Sequence, residues 1–308
     1  MKKSFLFSIS LTLCFITMLS FSACNSGGPK DGAAGSDSLS ANRELVAAKN
    51  ETDLFGYKEK GKEVWIIPAE YERASDFQDG LGMVKKAGKA GFVDAKGAVK
   101  IPIEFEDATS FLKGMAWVKK EGKWGQIKKD GSLAGSISYD DFQPMGEDYY
   151  QVKIGDKSGM VDNTGKLVIP AEYDQIWELT QGMVSANKNG KFGFLKADGS
   201  IAVPFEYDYV NSFDSNGLAL VEKGSKKGFV DKTGKTVIPI EFDNLGEFSD
   251  GLAKAQKSNK YGFITLDGTV AIKMIYDDAG SFKEGSAYVS QGAKQFYIDK
   301  TGKCVKGC

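Results

Sequence analysis

From Gly56 to Gly302 the chain repeats one succession of apolar and polar positions. A short apolar run with a glycine inside it leads to an Asp/Gly turn. A second apolar run follows, closed by proline, and then an acidic-aromatic-acidic triplet. An aromatic anchor, a turn glycine and a third apolar run complete the unit. Lys227 to Gly251 shows most of this in sequence, as K-G-F-V-D-K-T-G-K-T-V-I-P-I-E-F-D-N-L-G-E-F-S-D-G. The glycine of the first run falls at Gly56, Gly91, Gly125, Gly159, Gly193, Gly228 and Gly262. The turn glycine falls at Gly61, Gly97, Gly131, Gly165, Gly199, Gly234, Gly268 and Gly302. Spacings are 34 or 35 residues except for one of 36. A fixed period of this size means a repeat architecture.

The three runs are short, β-branched or aromatic, and bounded by turn residues, which predicts strands; helical periodicity is absent across the region. Glycine weakens a strand, so its recurrence inside the first run implies a bulge or a neighbouring backbone lying close. Asp94, Asp162, Asp231 and Asp299 each precede a turn glycine by three positions. Their carboxylates cap the turn while glycine supplies the positive φ. Pro68, Pro102, Pro170, Pro204 and Pro239 end the second run, which marks that strand as an edge or as terminating there. The third run passes through a Lys/Gly turn into the next first run, so units are joined by hairpins. Three strands in about 34 residues cannot bury their own apolar face, and stability has to come from stacking on neighbours.

The expected fold is all-β: tandem units of about 34 residues forming an open, superhelical, solenoid-like array. A seven-bladed propeller-like ring is the alternative, although a blade normally takes four strands and about 40 residues or more. Residues 53–308 form this domain, as seven units and a partial eighth.

Together, Gly-Phe-Val-Asp-x-x-Gly, Val-Ile-Pro-x-x-Tyr/Phe-Asp and Gly-Leu-Ala-x-Val resemble the WG (KWG) repeat of bacteria over about residues 54–302. The naming dipeptide occurs once, as Trp124-Gly125. The unit around Tyr139 departs most, with Gly135-Ser136-Ile137 in place of Val-Ile-Pro. The resemblance implies an interaction scaffold, often on exported proteins.

The leader supports export. Lys2 and Lys3 precede an apolar run from Phe5 to Phe21, about 17 residues against the ~20 a membrane span needs. Ser22-Ala23-Cys24 then offers a cleavage site. Phe-Ser-Ala-Cys resembles the lipobox of bacterial lipoproteins. That resemblance implies a signal peptide at 1–23, lipidation of Cys24, anchorage to a membrane of the cell envelope and, with Asn25 next, outer-membrane placement. Residues 24–52 read as a Gly/Ser-rich tether, in which Leu45 to Lys49 could make a helical turn or two.

Composition narrows the chemistry. The 308 residues include no histidine, which removes the commonest general base and metal ligand. Net charge is −1, and the two signs are mixed, so no basic stripe would attract nucleic acid. The repeat aspartates are too few per unit for a calcium loop. The triplets, as in Glu172-Tyr173-Asp174, offer carboxylate pairs of the kind glycoside hydrolysis uses. They recur in most units, which favours structural pairing with lysine. Cys304 and Cys308 are expected to form a disulfide in an oxidising envelope; as a metal site they would supply two ligands where structural zinc takes four.

By alternation, the middle residue of the third strand should point outward. The row reads Met83, Trp117, Gln151, Ser185, Leu220, Lys254 and Tyr288, and Met83, Trp117, Leu220 and Tyr288 are the candidate binding residues; the alternative is that both faces are buried. The expected function is non-enzymatic: a lipid-anchored envelope scaffold for a protein or peptide partner, with a glycan-binding module as the alternative. No cofactor is expected.

Overall fold

The computed structural model describes residues 44–308. Cys24, the leader and most of the tether lie outside the described residues. Every regular element is a β-strand, and the strands group into eight small antiparallel sheets in chain order. Sheet 6 is representative, with strands Tyr209–Val210, Leu218–Lys223, Lys226–Asp231 and Thr236–Phe242 pairing as a simple meander. Its first two strands belong to one sequence repeat and its last two to the next, so the sheet straddles the repeat boundary.

Two expectations are corrected. Units carry four strands where three runs were apparent. The extra strand follows the acidic triplet and is as short as two residues, as at Asp107–Ala108 and Tyr209–Val210, too short to show an alternation. Leu45–Lys49 is a strand, with Leu45 buried beside Tyr57 and Ile67, so the array begins before residue 53. The last sheet is four-stranded, taking its first two strands from the seventh unit and its last two, Lys294–Asp299 and Cys304–Lys306, from the partial eighth.

Sheet 3 is the irregular member. It has three strands, and beyond Lys128 only isolated bridges, Ile127 to Leu133 and Trp124 to Tyr139, stand where others have a fourth. In register, Ser136 stands at the proline position and Ala134-Gly135 before it, one residue earlier than the triplet at 135–137, and Gly135 takes a left-handed φ of 98°. No straight strand forms through it.

Alternate residues of each strand face opposite neighbours. In sheet 6, Leu218, Leu220, Phe229, Ile238 and Phe242 pack against sheet 7, while Val210, Ala219, Val221 and Val230 pack against sheet 5. Seven such clusters join the eight sheets pairwise. Among the described residues none joins sheet 8 to sheet 1, so the sheets form a linear, solenoid-like series. Each buried phenylalanine in the repeated core position (Phe92, Phe194, Phe229, Phe263) contributes about 1.5–3 kcal/mol.

The recurrent glycine of the first run, such as Gly228 in Lys226–Asp231, is required by a close approach. A Cβ on Gly228 would lie 2.6 Å from the Ile238 carbonyl oxygen and 2.9 Å from Ile240 Cα. The pairing register shifts at this point, between Lys227 and Phe229. Pro68, Pro102, Pro170, Pro204 and Pro239 lie on the last strands of their sheets, exposed, where a missing N–H costs no ladder bond.

Gly228→Ala should therefore destabilise the protein by about 1–3 kcal/mol, the range for forced overpacking. Gly246→Ala, whose Cβ would meet nothing closer than Lys254 at 3.7 Å, should be nearly neutral. Thermal unfolding of both variants checks this; equal losses would contradict the close-approach reading.

Candidate functional site

Three surface concavities follow one margin of the array; a fourth, of about 660 Å³, adjoins the first of them at Met115 and is lined by Lys113, Lys128, Lys129 and Asp130. The three open beside the segments that run from each acidic triplet to the aromatic anchor. A cavity of about 510 Å³ lies at sheets 3 and 4, one of about 410 Å³ at sheets 4 and 5, and one of about 780 Å³ at sheets 5 to 7. Pro144 lines both the first and the second, and Trp177 both the second and the third. Consecutive cavities thus share a wall residue, and the row of three is called the groove below.

Local sequence shapes its widest part. In sheet 5 the first strand is long, Gln175–Thr180, with a register shift between Ile176 and Leu179 that presents Trp177 on the surface. In sheet 6 the matching segment is one residue longer, and after Val210 it leaves the ladder as a loop through Asn216. Asp214 fixes that loop by accepting hydrogen bonds from the Asn216 and Leu218 amides at 2.9 and 3.0 Å. Trp177, 40% exposed, stacks on Phe192 with ring centroids 5.5 Å apart. Tyr209, 49% exposed, lies 6.3 Å beyond it. Asn211, Ser212 and Asn216 add donors and acceptors, and Leu218, Leu220 and Phe229 form apolar lining. The charged residues in the three cavities are Glu178, Asp214 and Glu247, all acidic.

Outward exposure of the third-strand row is a further correction. Met83, Trp117 and Leu220 are buried. Each internal sheet has a neighbour on both faces, so the side that alternation turns away from one core is the core of the next interface. Trp117 and Leu220 line the first and third cavities, with Gln151 and Ser185 in comparable places; Met83 lines none of the three. Tyr288, on the last sheet, is half-buried against Tyr297, whose ring Lys306 overlies. Trp177 and Tyr209 lie outside the third run, in the segment that follows the acidic triplet. A signal for Trp177 existed in the row Ser75, Thr109, Gln143, Trp177, Asn211, Gly246 and Gly280, where residue type varies freely two positions before an apolar anchor; Tyr209 lies outside that row.

Cys304 and Cys308 are joined by a disulfide with Cα atoms 6.0 Å apart. No cluster of three or more potential metal-ligating side chains occurs among the described residues.

The triplet carboxylates are paired structurally. Glu172 meets Lys188 at 2.7 Å and Glu206 meets Lys223 at 2.8 Å. The second acid joins two hairpins. Asp208 accepts from the Lys191 ammonium with one oxygen and from the Gly224 amide, at 2.7 Å, with the other. Asp140, Asp174, Asp243 and Asp277 likewise pair with Lys123, Lys157, Lys226 and Lys260. In all five the lysine hydrogen bond, above the other causes, holds the carboxyl below its ordinary range.

A family model described as "WG containing repeat" matches residues 55–89, 91–124, 159–192, 192–226, 228–261 and 261–294. The 125–158 stretch it leaves out contains the irregular part of sheet 3. No curated protein sequence matches the chain. Similar solved structures include a eukaryotic initiation factor (12% identity, 86% of this chain, 84% of that one, TM-score 0.35). Hsv2p of Kluyveromyces lactis (8%, 73% and 91%, 0.28) and the Pan2 WD40 domain of Neurospora crassa (12%, 75% and 88%, 0.26) are also similar. At these TM-scores no common fold follows.

Carboxylates whose folded pKa is depressed stabilise the protein above the unfolded value, near 3.9 for aspartate, and lose that contribution as pH falls through the folded value. The melting temperature should thus hold steady from neutral pH down to about 5 and drop below about 4. Asp208→Asn should lower it at pH 7 and coincide with the unsubstituted protein at the acid end. A pH series of thermal melts checks both, and a difference that persisted at low pH would contradict the pairing.

Proposed function

The chain belongs to the WG-repeat family, and on that footing we propose that it is a non-enzymatic interaction module of the bacterial cell envelope, binding an extended peptide of a partner protein along the groove of sheets 3 to 7. The observation that carries the reading is the row of three cavities sharing Pro144 and Trp177 as wall residues. An extended chain crossing them would place successive side chains in successive sheet interfaces. Exposed aromatics beside neutral hydrogen-bonding groups suit apolar and polar side chains alike. Glu178, Asp214 and Glu247 favour a partner with a basic residue and disfavour a phosphate backbone.

A glycan is the second reading, favoured by one feature: the Trp177–Phe192–Tyr209 shelf next to Asn211, Ser212 and Asn216. Sugar rings present an apolar face to aromatics and hydroxyls to amides.

The address rests on the leader. Lipidation of Cys24 would tie the array to the outer membrane, and several acyl chains hold far more firmly than one.

Peptides selected from a random display library on the mature protein should lose at least tenfold in affinity on Trp177→Ala/Tyr209→Ala, with the melting temperature kept. They should also bind more weakly as salt rises. Selected peptides indifferent to the substitutions would refute the groove, and a glycan array positive only for the unsubstituted protein would move the assignment to the second reading. Metabolic labelling with radioactive palmitate should mark the protein and spare Cys24→Ser; equal labelling would refute the anchor.

A further inference from the structure

The interface of sheets 3 and 4 contains three buried polar atoms that no protein group satisfies: Nε1 of Trp117 and both Nε2 and Oε1 of Gln126. The residues are 3% and 2% exposed and face each other across adjacent strands. A buried hydrogen-bonding group without a partner is costly, and natural cores contain few. In other sheets the position of Gln126 is occupied by Phe92, Met160, Phe194, Phe229 and Phe263, and on the last sheet by Tyr297. A glutamine there breaks the repeat at its core. The neighbouring buried glutamine behaves differently: Gln151 Nε2 donates to Ser158 Oγ and to the Ile176 carbonyl, both at 3.3 Å.

Trp117 and Gln126 both line the groove's first cavity, where no acidic or basic residue is present. Phe142 stacks on the Trp117 ring with centroids 4.1 Å apart, and Tyr150 meets its edge at 5.3 Å. The ring face is thereby covered, and the indole has its N–H left to offer. The unmet set is two donors, the indole N–H and the amide NH₂, and one acceptor, the amide oxygen. A carboxylate would satisfy the donors and set its charge against Oε1. An ammonium would satisfy Oε1 and leave both donors empty. A primary carboxamide matches all three, its oxygen accepting from Trp117 and Gln126 and its NH₂ donating to Gln126 Oε1.

We propose that this cavity is a specificity pocket for the side-chain carboxamide of an asparagine or glutamine in the peptide the groove carries. The inference rests on the groove reading for its source of ligand, and its chemistry is tested without a peptide. Acetamide is titrated into the ¹⁵N-labelled mature protein while the four tryptophan indole resonances are followed, that of Trp117 being assigned with Trp117→Phe. The Trp117 resonance should move saturably with acetamide, and not with acetate, methylammonium or methanol at equal concentration. Gln126→Met should abolish the shift and raise the melting temperature, because it removes the orphaned amide.

No saturable shift, or an equal shift with methanol or acetate, overturns the carboxamide assignment, and the selectivity series on the unsubstituted protein stands even if a variant fails to fold. A lower melting temperature for Gln126→Met shows the amide already partnered and overturns it too. The two readings separate cleanly. Peptides that bind through Trp177 while Trp117 ignores acetamide leave the groove and remove the pocket; the reverse result leaves the pocket and removes the groove.

Discussion

Burial of both faces of every internal sheet is the constraint on which the rest of this structure depends. A four-stranded meander of 34 residues, such as Tyr209 to Phe242, has two apolar faces and no core of its own. Stacked in series, each face is covered by a neighbour, and stability becomes a sum of nearest-neighbour interfaces. The clusters that join sheet 5 to 6 and sheet 6 to 7 draw on alternate residues of the same strand, Ala219 and Val221 for one, Leu218 and Leu220 for the other. The same constraint leaves the outermost sheet with a different surface: Tyr297 and Lys306 stand where internal units carry phenylalanine and isoleucine.

Function, on this account, occupies what the stacking leaves free. Cores fix the third strand and the first run, so freedom to vary is left to the short segments between triplet and anchor. These segments meet the groove, and the chain places Trp177 and the longer Asn211–Asn216 loop there. At sheet 3 the repeat itself gives way: the fourth strand is missing, and a glutamine replaces a core phenylalanine. An irregularity inside an otherwise uniform array is where binding chemistry can enter without loss of the scaffold.

Much of this was legible in the sequence, and the rest was hidden for physical reasons. The period, the strand-bounding turns, the close-approach glycines and the prolines on edge strands could be read because each depends on residues within one unit. Pairing of the triplet acids with lysine was also legible, since both partners recur with the repeat. The fourth strand was invisible because two residues such as Asp107 and Ala108 show no alternation. Leu45–Lys49 lacked a preceding unit to mark its register. The exposure assigned to Met83, Trp117 and Leu220 failed because alternation identifies two faces without saying whether the second one is wet. The groove escaped notice because it is assembled from side chains one repeat apart. The orphaned state of Gln126 depends on what sheet 4 brings to it, and composition alone gives no warning of that.

The most direct test of mutual burial uses a fragment of a single meander, residues 208–242, followed by circular dichroism and amide hydrogen exchange beside the mature protein. The account predicts a fragment without strand signal or protection, in which the amides of residues 218–223 exchange freely although they are protected in the array. A fragment that folds cooperatively alone, with protected amides and a melting transition, would contradict it.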